Sequence, residues 1–514
     1  MNSLFLRLAV HGVLCVFSAQ FSQSALAQRT AELPTELQQQ VDAIIKKSQV
    51  RGGAVVLVDA TGPVGAAWFG TANVQSGVAV SSATCMRAGG LVNTFTSVLA
   101  MRLAEQNKLD LDAVLPTDLQ PTAPAACQSK VSVAQLLEQT AGLTDAARAG
   151  TTKRVLSWCP GLHYRASEDS VVLAAEAISR AGGSDFADLM QREVFAPLGL
   201  RQTGFVPAES GSFTPSCLSR SYGADGIELG ADRRQHLPLT ASLVSTPLEL
   251  ASLLQMLLRY GDGPLGNVLE PCSVAHLASG STGLASRLGV SATTEGRGLK
   301  RLVAAGRLMV GYAARFDGFH TVIGMAPEVG RGMVIVLNTD DPAALARLHD
   351  LLATWVWQGA GEVRVPRDAA SAQGISGWYV KPTQSDTPQA WWRAARDLVR
   401  VTATANGAEL RSVWPWGVVR HVAAVTPQSF RSPALPLAGM AFAVLPDGSR
   451  WWIEGESHAE ISPLLALGTL ATPLVVVLLF VVGLVCLFRR ALRRPRSALF
   501  FSVTSVNLKR SSCS

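Results

Sequence analysis

Apolar positions recur along the chain with two periods, and each period predicts its own kind of element. Leu91 to Asn107 carries apolar residues at 92, 95, 98, 99 and 103. That spacing lines one face of a helix. Thr30 to Val50, Thr246 to Tyr260 and Pro342 to Gln358 have the same period. Gly53 to Ala72 reads instead as two strands around the turn cluster Asp59-Ala60-Thr61-Gly62-Pro63. Gly318 to Ala326 and Gly332 to Asn338 read as two more, joined by Pro327-Glu328-Val329-Gly330.

The texture changes after residue 360. Gly361 to Gly374 is rich in Gly, Ala, Ser, Pro and charge and reads as a linker. Beyond it, Val399 to Val413 alternates around Asn406-Gly407, a strong hairpin signal. Phe442 to Glu454 gives a second hairpin around Pro446-Asp447-Gly448. Residues 375–457 are therefore expected to form a small all-β module. It holds Trp378, Trp391, Trp392, Trp414, Trp416, Trp451 and Trp452. These are expected to pack in its core and near a membrane rather than to form a ligand box.

Both ends carry apolar runs of another kind. Met1 to Arg7 is short and basic, Leu8 to Phe21 is mostly apolar, and Ala25-Leu26-Ala27 offers small residues for cleavage. Residues 1–27 thus read as a secretory signal peptide. Pro463 to Phe488 has no charged residue and exceeds the roughly 20 apolar residues of a membrane span. Arg489, Arg490, Arg493, Arg494 and Arg496 follow at once, which marks 489–514 as a basic cytoplasmic tail. The expected topology is single-pass, with the body on the periplasmic or extracellular side.

Charge then has to be redistributed. The tail's seven basic residues and Arg7 carry eight positive charges, which leaves the body between them at −1 of the chain's +7. A nucleic-acid partner, which needs a basic face, is excluded on that ground. Five cysteines stand in the body: Cys85, Cys127, Cys159, Cys217 and Cys272. Export permits disulfides, and an odd number leaves at least one outside any intrachain pair. No metal-ligand spacing occurs, and neither metal nor cofactor is expected.

Several segments between Glu32 and Gln358 fall into one order. Met86-Arg87-Ala88-Gly89-Gly90-Leu91-Val92-Asn93-Thr94-Phe95-Thr96 opens a helix. Thr140-Ala141-Gly142-Leu143, Pro160-Gly161-Leu162-His163-Tyr164 and Val194-Phe195-Ala196-Pro197-Leu198-Gly199-Leu200 follow. Leu243-Val244-Ser245-Thr246-Pro247, Gly318-Phe319 and Ala326-Pro327-Glu328 complete the series. This order resembles the serine β-lactamase-related family, which takes in class C β-lactamases, DD-carboxypeptidases and related esterases. The resemblance implies an α+β fold for residues 28–360, an antiparallel sheet flanked by helices with a helical subdomain. The module after the linker looks like the β-barrel-like appendage of some members.

The family's chemistry rests on three sites, and this chain departs from all of them. Ser-x-x-Lys at a helix start puts nucleophile and base on one helical face. Gly90 and Asn93 stand at those positions here. Tyr-x-Asn is replaced by Ala166-Ser167-Glu168, so the phenol is missing. Lys/His-x-Gly on a strand is replaced by Tyr312-Ala313-Ala314. No Ser-x-x-Lys and no Tyr-x-Asn occurs anywhere in the chain. A supporting His and Ser are also replaced, in Glu138-Gln139-Thr140-Ala141-Gly142-Leu143.

Losing one member of such a catalytic unit costs about 10⁴- to 10⁶-fold, so the expectation is a pseudoenzyme that binds or scaffolds. Expected partners are a peptidoglycan-like peptide or acyl ligand, an active relative, and the membrane through the C-terminal helix. The alternative is a hydrolase with a relocated nucleophile. Its candidates are Thr94, Thr96, Ser97 and Ser167, with Glu168 as a non-covalent base, and none has a Lys or His at defined spacing. A third reading makes the β module the interacting part and the larger domain a spacer.

Overall fold

The computed structural model describes residues 31–469 except 126, 144–152, 207–215, 230–238, 280–282, 289, 291–295, 364–373, 383–387, 413–416, 434, 446 and 455. The signal peptide, most of the linker and the apolar run beyond Thr469 lie outside them. Residues 463–469 are helical. Among the described residues no helix is long and apolar enough to cross a membrane.

Strands β1 (Gly52–Asp59) and β2 (Gly62–Asn73) form the hairpin expected from the turn cluster. Asp59 Oδ1 accepts from the Thr61 backbone N–H at 2.7 Å, and Gly62 adopts φ +122°, which glycine alone supplies cheaply. β3 (Val78–Ala79) extends the edge. Four later strands complete the sheet: β4 (Lys300–Ala304), β5 (Arg307–Phe316), β6 (Phe319–Ala326) and β7 (Arg331–Leu337). The order is β3-β2-β1-β7-β6-β5-β4, and the pairings of β1, β2, β4, β5, β6 and β7 are antiparallel.

Alternation along β1 sends its side chains to two cores. Val55 and Leu57 face helices α1 (Thr35–Lys46) and α6 (Pro342–Val356), together with Val41, Leu348 and Leu352. Val56 and Val58 face the larger core around α2 (Val92–Glu105), α3 (Glu168–Gly182) and α4 (Pro247–Leu258). A short helix, α5 (Leu284–Arg287), precedes β4. The sheet is therefore covered on both faces, which explains why β1 is apolar at nearly every position.

The β module is a closed eight-stranded barrel. Its strands are β8 (Gly377–Val380), β9 (Val399–Thr404), β10 (Gly407–Ser412), β11 (Val419–Thr426), β12 (Ser429–Arg431), β13 (Met440–Val444), β14 (Arg450–Glu454) and β15 (Glu456–Ile461). The β8–β15 pairing closes it. Closure removes exposed edges. Tyr379, Phe430, Phe442 and Trp452 fill the interior. The tryptophans divide: Trp452 is core, Trp392 is exposed, and Trp451 packs against the larger domain. That last placement puts Trp451 outside the barrel core expected for it.

Four body cysteines are paired, Cys85 with Cys217 and Cys127 with Cys159, and Cys272 is free and exposed.

Candidate functional site

The start of α2 is where this scaffold's sequence motifs converge. A 3₁₀ turn, Gly89–Leu91, leads into it. Gly89 has φ +55°, and a Cβ there would stand 3.2 Å from Phe316 Cβ. A Cβ on Gly90 would stand 3.3 Å from the Tyr312 hydroxyl. The Tyr312 phenol on β5 thus covers the place from which a side chain of residue 90 would reach outward. Tyr312 is itself buried, and Ala314 follows on the same face of the strand.

One turn on, Asn93 is also buried, at 2 % exposure. Its Nδ2 donates to the Leu137 carbonyl at 3.2 Å, and its Oδ1 accepts from Gln139 Nε2 at 3.3 Å. Gln139 Oε1 in turn accepts from the Ser167 backbone N–H at 2.8 Å. Two neutral amides thus tie the start of α2, the 136–139 segment and the start of α3 together. A carboxamide has no proton to exchange near neutral pH, and here both its ends are engaged in structure.

The other sequence candidates have structural roles. Thr94 lies within α2 and donates to the Gly298 carbonyl at 2.7 Å. Thr96 donates back to the Val92 carbonyl at 2.8 Å. Ser97 is fully buried, and its hydroxyl has no hydrogen-bond partner among the described residues. Ser167 is the N-cap of α3 and accepts from the Ser170 N–H. Glu168 sits in the first turn of that helix, where the helix dipole favours a carboxylate. Ala166 is exposed.

Three residues that sequence reasoning did not single out complete the site. Lys300, at the start of β4, places its ammonium 4.7 Å from the centre of the Tyr312 ring. It also donates to the Tyr164 hydroxyl at 3.0 Å. The third is His163, next in line to Tyr164. Its ring stacks on Trp451 of the barrel at 4.1 Å between centroids and meets Trp158 edge-on at 5.7 Å. Its Nδ1 lies 3.0 Å from Ser457 Oγ, also in the barrel. Burial alone pushes the His163 imidazole down to about 4. His163 and Tyr164 stood in a framework segment of the family resemblance with no role attached, and Lys300 stood in none.

The beta-lactamase family model matches residues 37–356. Penicillin-binding protein 4 of Amycolatopsis lactamdurans is 25 % identical over 357 residues, covering 64 % of this chain and 91 % of that protein. Among solved structures, SurE aligns at 20 % identity with a TM-score of 0.56, over 83 % of this chain and 98 % of its own. The octameric penicillin-binding protein homologue from Pyrococcus abyssi aligns at 15 % and 0.52, over 83 % and 99 %. A class C beta-lactamase from Rhodobacter sphaeroides aligns at 17 % and 0.51, over 63 % and 99 %. At these identities the structures speak for the fold alone.

Proposed function

Since the chain belongs to the beta-lactamase family, we propose that it is a pseudoenzyme: an exported, membrane-anchored member that binds or scaffolds in the cell envelope without hydrolysing. One observation carries this reading. Where the scaffold would hold a serine backed by an amine, it holds Gly90 under the Tyr312 phenol and Asn93 locked to Leu137 and Gln139. With no nucleophile at that point there is no acyl-enzyme route from it, and an amide cannot replace the base. The two disulfides support export, because such pairs persist in oxidising compartments. The apolar run 463–488 with its basic flank supports anchoring. A peptide or acyl ligand in the relict cleft, or an active relative, remains the proposed partner.

A second reading has one observation in its favour. The Tyr164 hydroxyl accepts a hydrogen bond from the Lys300 ammonium at 3.0 Å, so a hydroxyl and an amine stand together. That hydroxyl would be a relocated nucleophile, unlike the buried Thr94, Thr96 and Ser97. One experiment separates the two readings. The full-length protein is incubated with a fluorescent penicillin and a chromogenic cephalosporin, and any label is mapped by peptide mass. The pseudoenzyme reading expects neither covalent label nor turnover. Saturable label on Tyr164, lost in Tyr164→Phe, establishes the second reading and sinks the first.

A further inference from the structure

The barrel is not a free appendage. Val290 and the apolar residues Leu284, Ala285 and Leu288 of the larger domain pack against Ala441, Ala443 and Ile453 on the barrel wall. Beside this patch His163 stacks on Trp451 and meets Ser457. These barrel residues lie at alternate positions on neighbouring strands, so they share its outer face.

The same short segment also forms one wall of the relict cleft. His163 turns to the barrel, while Tyr164, one peptide bond on, bonds to Lys300 beside Tyr312. Backbone bonds lay this segment along the one that carries Gln139. The Gly161 N–H donates to the Thr140 carbonyl, and the Arg165 N–H to the Gln139 carbonyl, both at 2.8 Å. Gln139 then holds Asn93. A continuous chain of contacts therefore runs from the barrel wall to the start of α2.

We propose that His163 is a latch: through its stack on Trp451, docking of the barrel and the closed form of the relict cleft are one coupled state. When the barrel lifts, the 160–165 segment loses its outer support, and Tyr164 is free to leave Lys300. The barrel then regulates access to the cation in the cleft. The value of that control to the cell rests on the cleft being a binding site, as proposed above. The coupling itself needs no ligand to be tested, so its failure would leave the binding reading standing.

The test is amide hydrogen exchange on the full chain in detergent micelles. Trp451→Ala removes the barrel's half of the stack and touches nothing in the cleft. Loss of one aromatic pair is expected to speed exchange at Gly161 and Arg165 by about threefold to tenfold. Val55 and Ile335, in the central sheet, should exchange as in the wild type. Trp451→Phe keeps a ring and should restore protection at both seam amides. Unchanged exchange at Gly161 and Arg165 in Trp451→Ala overturns the proposal, whatever the barrel's own amides do. Should Trp451→Ala loosen the whole sheet, Ser457→Ala decides, because it removes a single hydroxyl. A smaller but selective acceleration at the same two amides supports the latch, and none refutes it.

Discussion

Asn93 is a structural residue at the position where the family resemblance expects a base. Its two hydrogen bonds, with that of Gln139 to Ser167, make a fixed link between three segments. Restoring the family's pair by Gly90→Ser with Asn93→Lys is therefore expected to fail twice. The serine Cβ would press on the Tyr312 hydroxyl at 3.3 Å, a distance tighter than ordinary packing allows. The lysine would bury an ammonium in a site 2 % exposed and take the Asn93 acceptor from one Nε2 proton of Gln139, whose other bond, to the Leu136 carbonyl, stays. An unmet buried polar group costs about 1–3 kcal/mol and a charge more. Urea denaturation of the double variant should show at least that loss, with no gain in penicillin labelling. Labelling at the introduced serine would mean that the cleft has kept more of its geometry than Tyr312 and Asn93 indicate.

At the scale of elements, the disulfides brace the segments that carried the family's motifs. Cys85 stands just before the Met86–Arg87 strand that leads to Gly90, and Cys159 immediately precedes Pro160-Gly161. Cys127 and Cys159 are separated by 32 residues, and closing a loop of that order stabilises by about 3–4 kcal/mol in the chain-entropy account. The paired substitution Cys127→Ser/Cys159→Ser should lower the thermal midpoint, and dithiothreitol should then have less left to remove than in the wild type. An equal midpoint for variant and wild type under oxidising conditions would show that this pair contributes nothing.

These elements also show what the sequence discloses. The β1–β2 turn, the β9–β10 hairpin and the periods of α2, α4 and α6 are legible because each rests on residues close in sequence. The reading that sets Gly90 and Asn93 at the family's nucleophile and base positions rests on the same locality, since a motif of four residues sets its own register. Closure of the barrel by β8 and β15, implied only by the resemblance to the family's barrel-like appendage, leaves no local mark, because the strands are distant. The same holds for Lys300 on Tyr164, and for His163 against Ser457, 294 residues apart. The same holds for the Thr94 hydroxyl, whose acceptor, Gly298, lies more than two hundred residues downstream.

For the whole molecule, the seam between larger domain and barrel is expected to be sensitive to acid. Docked, His163 has its imidazole pushed by burial from an ordinary 6.5 down to about 4. Released, it returns to its ordinary value, so the undocked form binds the extra proton. A group depressed in the docked form favours docking above its ordinary value, and that contribution fades as pH falls from about 6.5 through about 4. The full loss corresponds to about 3 kcal/mol. Among the described residues nothing charged stands on the barrel side to meet an imidazolium: the outward positions 441, 443, 451, 453, 457 and 459 hold Ala, Ala, Trp, Ile, Ser and Ala. On the other side Arg165 lies over Trp158 and Arg287 donates to the Gly161 carbonyl, and both of these are cations. Exchange at Gly161 and Arg165, corrected for intrinsic chemistry, should therefore accelerate across that window. His320 and His349 are also held below their ordinary value, chiefly by burial, so the larger domain weakens in acid too. His163→Gln separates the effects, because a neutral amide keeps a partner for Ser457 and does not titrate. In that variant the acceleration at the seam should flatten while the acid sensitivity of the sheet stays. A seam that still opens with the wild-type pH profile in His163→Gln would place the acid-sensitive group elsewhere.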